Sequence, residues 1–202
     1  EAGYYDNATN TGSYGQLAWE QRGDGSWMRY EYDAEGRRTL EESPWVNAPF
    51  GSTGTNVVQV SYDYTCRDTA EVPAKGDRHW RKKERTAGGV WAGTTYRAFY
   101  TDTGTGDRVE IEEEADRADA PYGDEENRRT VTRKYGATAE TYQKGRLRQV
   151  EHPDGRKDSY GYEQGLYQEN TNGIGSFTAQ AGGTYLCVTE TPDAEESSET
   201  EE

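Results

Sequence analysis

Apolar and polar residues alternate with a period of two along most of this chain, and no long stretch places apolar residues at helical spacing. Between Trp27 and Tyr32 the residues Met28, Tyr30 and Tyr32 share one face, and Trp27, Arg29 and Glu31 share the other. The Met-Tyr-Tyr face is the one expected to be buried. Val57 to Thr65 sets Val58, Val60, Tyr62 and Tyr64 against Gln59, Ser61 and Asp63, and Val109 with Ile111 continues the pattern. Further strands are expected over His79–Arg85, Trp91–Tyr100, Thr130–Tyr135, Ala139–Tyr142, Leu166–Glu169, Ser176–Gln180 and Thr184–Thr189. Glycine-rich turns punctuate them at Asp24-Gly25, Gly88-Gly89, Thr101–Gly106, Asp154-Gly155, Asn172–Gly175 and Gly182-Gly183. The pattern predicts an all-β chain, an antiparallel meander of hairpins. Three segments lose the alternation: Ser43–Thr55, read as a loop carrying Trp45 and Phe50; Arg67–Gly76, read as an excursion; and the charged Glu112–Arg129, read as an exposed loop or hairpin tip.

One unit recurs. Shifting residues 15–37 by 130 positions lays them on 145–165 and matches Gly15 with Gly145, Leu17 with Leu147, Asp24-Gly25 with Asp154-Gly155, Tyr30 with Tyr160 and Tyr32 with Tyr162. One deletion then aligns Gly36 with Gly165, where the chain is expected to reverse again. Tyr30-Glu31-Tyr32-Asp33 followed by Gly36-Arg37, with Gly145-Arg146-Leu147 and Tyr160-Gly161-Tyr162, resembles the tyrosine-aspartate (YD) repeat of rearrangement-hotspot (RHS) proteins. The resemblance implies β-hairpin ribbons that curve into a shell, with neighbouring repeats of a larger bacterial exported or cell-surface protein as partners. It gives Tyr30, Tyr32, Asp33, Gly36, Asp24, Gly25, Asp154, Gly155, Tyr160, Tyr162 and Gly165 structural roles. Many members carry a self-cleaving motif with an Asp-Pro step; this chain has no Asp-Pro dipeptide, so that activity is not carried over. Residues 1–189 are read as one repeat-bearing β domain that opens inside a repeat, with irregular insertions over 38–141, and residues 190–202 as an acidic, disordered tail.

Composition changes what the core must be made of. Only 31% of residues are hydrophobic, and 16 tyrosines stand against three phenylalanines, so aromatic rings with wet hydroxyls must supply much of the burial. A net charge of −15 argues against nucleic-acid and anionic-membrane partners, and no apolar run approaches the roughly 18 residues of a membrane-spanning helix. Cys66 and Cys187 fit no zinc motif; they read as two buried thiols, or as a pair if neighbouring strands bring them together.

Candidate chemistry is sparse. The two histidines, His79 and His152, belong to no catalytic constellation and read as surface or turn residues. Asp102, Gly104, Gly106 and Asp107 imitate a calcium loop with glycines where ligands belong, so no metal is expected. The five cations of Arg78–Arg85, beside Trp80, read as a solvated strand face or an ion-pair partner for acidic loops, ahead of a phosphate contact. Tryptophan faces stack on sugars, and strand parity and loop context point Trp27 and Trp45 outward as candidate ligand-binding residues; the others are expected to be cross-strand packing. The expected function is a non-enzymatic scaffold without cofactor, and its rival is a carbohydrate-binding module.

Overall fold

The computed structural model describes residues 1–6, 12–169 and 175–192. Its strands are β1 (Ala2–Tyr4), β2 (Leu17–Gln21), β3 (Trp27–Tyr32), β4 (Arg38–Pro44), β5 (Val57–Asp63), β6 (Lys82–Ala87), β7 (Val90–Thr101), β8 (Arg108–Glu114), β9 (Arg128–Lys134), β10 (Leu147–Glu151), β11 (Lys157–Glu169), β12 (Gly175–Ala179) and β13 (Tyr185–Thr191). They pair in chain order from β1 to β12, and β13 pairs with β11. The protein is therefore all-β, an antiparallel meander, and its described residues contain no α-helix. Two compact units divide it, Glu1–Ala98 with Glu112–Arg128 and Phe99–Ile111 with Arg129–Glu202.

In the first unit each face of β3 buries a ring. Tyr30 is buried on the expected face, with Met28 and Tyr32 half-buried beside it. The expectation that Trp27 points outward is corrected: it is only 2% exposed. Parity placed it on the opposite face correctly, but the proline-punctuated loop after β4 folds back over that face. Phe50 meets Trp19 at 5.0 Å and Trp27 edge-on at 5.8 Å between ring centroids, and the Trp27 indole N–H donates to the Ala48 carbonyl at 3.0 Å. Along the same face Arg29 pairs with Glu42, whose carboxylate also accepts from Gln59 at 3.1 Å.

Charge, where apolar residues are lacking, organises the loops. Glu71 is buried, accepts from the backbone N–H groups of Arg67 and Asp68 at 2.8 and 3.1 Å, and pairs with the buried guanidinium of Arg81. Arg81 also donates to Asp77 at 2.7 Å, so the chain stays irregular through it and β6 begins at Lys82, three residues later than expected. The Glu112–Arg129 segment is not simply an exposed tip. Buried Glu113 accepts from Gly123 N–H at 2.7 Å and from the Asn127 amide at 2.6 Å, while the Tyr96 hydroxyl donates to the Ala120 carbonyl at 2.8 Å. Ala120 is 1% exposed as a result.

The second unit rebuilds the start of the first. With the 130-residue shift, the pairs Gly3–Trp19 and Tyr4–Leu17 become Arg133–Gln149 and Lys134–Leu147, and both ladders carry an irregularity at the same step. The Tyr5 hydroxyl donates to the Tyr30 carbonyl at 2.8 Å, as the Tyr135 hydroxyl does to the Tyr160 carbonyl at 3.1 Å. Tyr5 meets Tyr32 edge-to-face at 6.1 Å, as Tyr135 meets Tyr162 at 5.9 Å. In both copies the Asp-Gly turn is longer than two residues. Arg22 N–H bonds to Ser26 O and Gly25 N–H to Arg22 O, matched by His152 with Arg156 and Gly155 with His152. Gly25 and Gly155 close these turns at φ +85° and +86°, a conformation that disfavours a side chain.

The copies part at their last glycine. Gly36 closes a similar turn at φ +74°, but Gly165 lies inside the long β11 and does not reverse the chain. It pairs with Ala179 of β12 on one edge and Tyr185 of β13 on the other, so the chain between them crosses the strand there. A Cβ on Gly165 would lie 2.3 Å from Thr178 O, and one on Gly183 would lie 2.3 Å from Gly165 O, which is why both positions lack one. After that crossing β13 takes the position of β4: Tyr30–Glu41 and Arg29–Glu42 become Tyr160–Glu190 and Ser159–Thr191. β13 thus runs to Thr191, past the expected Thr189. The rest of the acidic tail, 193–202, and most of the Asn172–Gly175 turn lie outside the described residues. Residues 139–142, expected as a strand, form a turn.

Because the loop after β4 seals Trp27, Trp27→Ala should cost about 3–5 kcal/mol in urea denaturation. Glu31→Ala, on the same face but exposed, should stay within about 0.5 kcal/mol.

Candidate functional site

An aromatic cleft lies in the first unit, where the turn after β3 meets the end of β5 and the segment before β6. Tyr32 closes β3, the Asp33–Gly36 turn delivers Arg37 and Arg38, β4 adds Glu41, and β5 adds Tyr62 with Tyr64 just beyond its end. Arg78 and Trp80 come from the irregular segment just before β6 and complete a hollow of about 430 Å³. A second hollow of about 250 Å³ shares Arg37, Tyr64 and Arg78 with it. Volumes of this size suit one or a few small rings.

Its lining residues join guanidinium–ring contacts. Arg37 stands 4.4 Å over Tyr64 within the lining, while Arg38 lies 4.5 Å over Tyr30 and Trp80 carries Arg97 at 4.4 Å, with Tyr30 and Arg97 outside the lining; Trp80 lies 6.5 Å from Tyr62. Two of the cations in the walls are already paired: Arg37 with Asp33 at 2.7 Å, and Arg38 with Glu41 at 2.5 Å. Burial pushes the Asp33 carboxyl up, but the Arg37 backbone N–H and guanidinium, together with Glu35 N–H, outweigh it and hold the group below its ordinary range. Burial, then the Glu41 carboxylate, pushes the Tyr62 phenol up to about 12. The Tyr64 hydroxyl donates to Arg38 O at 2.8 Å and the Tyr32 hydroxyl to Leu17 O at 3.0 Å. Arg78 is exposed and makes no hydrogen bond or ion pair with the described residues.

Neither tryptophan singled out for ligand binding lines this cleft. Trp27 is buried; Trp45 is 44% exposed and leans on the Gly88 turn, its indole nitrogen 3.0 Å from where a Gly88 Cβ would stand. The lining residues Tyr62, Tyr64 and Arg78 were read as strand face and solvated cation. The available signal was that Tyr62-Asp63-Tyr64 repeats the Tyr-x-Tyr spacing of Tyr30 and Tyr32. Of the repeat residues Tyr32 and Gly36 line the cleft, and others hold turns and rings: Asp24 accepts from Ser26 N–H at 2.9 Å, Asp154 from Arg156 N–H at 3.2 Å, and the Tyr160 hydroxyl donates to Glu190 at 3.1 Å.

Elsewhere the histidines and the aspartates of the 102–107 turn have polar partners. His79 meets Asp77 and His152 meets Asp158, each at 2.7 Å. Asp102 accepts from Gly104 and Thr105 N–H within its own turn, and Asp107 pairs with Arg148 at 2.5 Å. A hollow of about 540 Å³ in the second unit is lined by these two aspartates, Arg148, and Arg133, which pairs with Asp102 at 3.4 Å. No three His, Cys, Asp or Glu side chains among the described residues are grouped to hold a metal. Cys66 and Cys187 are free and half-buried.

Asp77, which anchors the cleft's second hollow, generates a pH prediction. Burial pushes its carboxyl up, but His79 N–H, the Arg81 guanidinium and the His79 ring outweigh it and hold it at about 2, against an ordinary 3.8. A lowered folded value stabilises the protein above the ordinary value, and that stabilisation disappears as pH falls through about 2. Asp77→Asn should therefore lose on the order of 1 kcal/mol at neutral pH, and denaturation curves should show the gap to wild type closing between about pH 4 and pH 2. Comparison with known proteins adds no assignment to this site: no protein-family model matches the sequence, and no curated protein matches it.

Proposed function

We propose that this chain is a structural segment, a non-enzymatic scaffold of the YD-repeat kind within a larger exported or cell-surface protein. The observation that supports this reading is the second appearance, 130 residues on, of the same strand pairs, the same tyrosine-to-carbonyl bonds and the same glycine-closed turn. Such a unit presents backbone ladders, and neighbouring repeats of the larger chain are its natural partners. The absence of an apolar helix long enough to cross a bilayer among the described residues agrees with a reading that involves no helical insertion. The net charge of −15 speaks against nucleic acid.

A second reading, carbohydrate recognition, is favoured by one observation: the cleft of Tyr62, Tyr64 and Trp80 combines ring walls with polar groups at its rim. It moves the proposed sugar contact away from Trp27 and Trp45. The two readings are compatible, since a scaffold can carry a binding site.

The scaffold reading is tested in the producing cell by following surface exposure of the parent protein. Gly25→Val and Gly155→Val force a β-branched side chain into positive φ, at about 1–2 kcal/mol each or more, and should reduce the amount displayed. Trp45→Ala and Arg78→Gln should leave display unchanged. Normal display of both glycine variants would remove the support that the repeat lends to this function.

A further inference from the structure

We infer that the cleft between β3, β4, β5 and the 77–80 segment binds an acidic saccharide, a short chain of uronic-acid units, with Arg78 holding a carboxylate and Glu41 and Gln16 holding hydroxyls. This inference rests on the carbohydrate reading and names its ligand. Of the three arginines lining the cleft, Arg37 and Arg38 are paired with Asp33 and Glu41, whereas Arg78 makes no ion pair with a described side chain. An exposed guanidinium over a ring-walled hollow in a chain of net charge −15 is a local exception to the surrounding field. Its planar fork matches a carboxylate with two parallel hydrogen bonds.

The other polar groups suit hydroxyls. Glu41 lines the same hollow and, although paired with Arg38, keeps lone pairs that can accept hydrogen bonds from sugar hydroxyls. Gln16 offers an amide donor and acceptor, and the Tyr32 and Tyr64 hydroxyl oxygens, their protons committed to carbonyls, still present lone pairs. Rings flank these groups on several sides, as the apolar faces of pyranoses require. A ligand with one carboxylate per ring and several hydroxyls matches this arrangement; a polyphosphate does not. Arg37, Tyr64 and Arg78 border both hollows, and the carboxylates of Glu35 and Asp77 line the smaller one, so the uronate carboxylate belongs at Arg78 on the side of the larger hollow.

The test is titration calorimetry at low salt with a uronic-acid disaccharide, its neutral hexose counterpart and inorganic phosphate, on wild type, Arg78→Gln, Arg78→Lys and Arg22→Gln. Arg22 is an exposed arginine at a distant turn, with a loose contact to Glu20 at 3.8 Å, and serves as the control. Circular dichroism establishes that every variant is folded. The expected result is binding of the uronate, at least about tenfold weaker for the neutral sugar and for Arg78→Gln, partly restored by Arg78→Lys and unchanged by Arg22→Gln. Equal binding of both sugars, indifferent to Arg78, overturns the acidic ligand and keeps the carbohydrate reading. Phosphate competing as well as the uronate overturns the saccharide and leaves a simple anion site. No binding of either sugar to folded protein up to about 10 mM, weaker than ordinary specific affinities, overturns this inference and the carbohydrate reading together.

Discussion

A tyrosine hydroxyl that reaches past its neighbouring strand to a backbone carbonyl is the contact on which the rest of this protein is arranged. Tyr5 follows β1 and bonds to β3 across β2; Tyr135 follows β9 and bonds to β11 across β10. Each staples three strands rather than two, and each ring is braced edge-on by the tyrosine two residues after its acceptor. In a chain only 31% hydrophobic this solves a shortage of apolar surface, since a tyrosine buries a large ring and ends in a group that must find a partner. The glycine-closed turn that follows β2 and β10 fixes the register in which that partner arrives.

Outside these stapled triplets, carboxylates and guanidinium groups do the work that leucines do elsewhere. Glu71, Arg81 and Glu113 are each at most 8% exposed, and each gathers a loop by bonding to several of its groups. Such clusters add little net stability over an apolar core of equal volume, but removing one partner leaves a buried charge that is costly. They therefore specify a loop conformation more than they stabilise it. The aromatic cleft follows from this: its position depends on the Arg81 cluster holding the 77–80 segment against the end of β5.

The strands were legible because alternation and Gly-rich turns are local signals, and the 130-residue recurrence was legible because turn and ring positions are both fixed by register. What escaped was the return of irregular chain over a sheet face. Nothing periodic announces that Phe50 will cover Trp27, or that Glu113 will be enclosed by Gly123 and Asn127, because such burial depends on long-range closure and single polar contacts. Gly165 misled for a related reason: a glycine needed for a chain crossing looks in sequence like one needed for a turn. The cleft was half legible, as Tyr-x-Tyr spacing at 62 and 64 beside a cationic run near Trp80, without any sign that the two would meet.

The two triplets are one structural unit used twice. Deleting only the stapling hydroxyls, with Tyr5→Phe and Tyr135→Phe measured separately by urea denaturation, tests this most directly. Equivalent units predict losses of about 1 kcal/mol for each hydroxyl, matching within about 0.5 kcal/mol. A clear loss for one and none for the other would contradict it, and would mean that the recurrence is a likeness of sequence without a shared physical role.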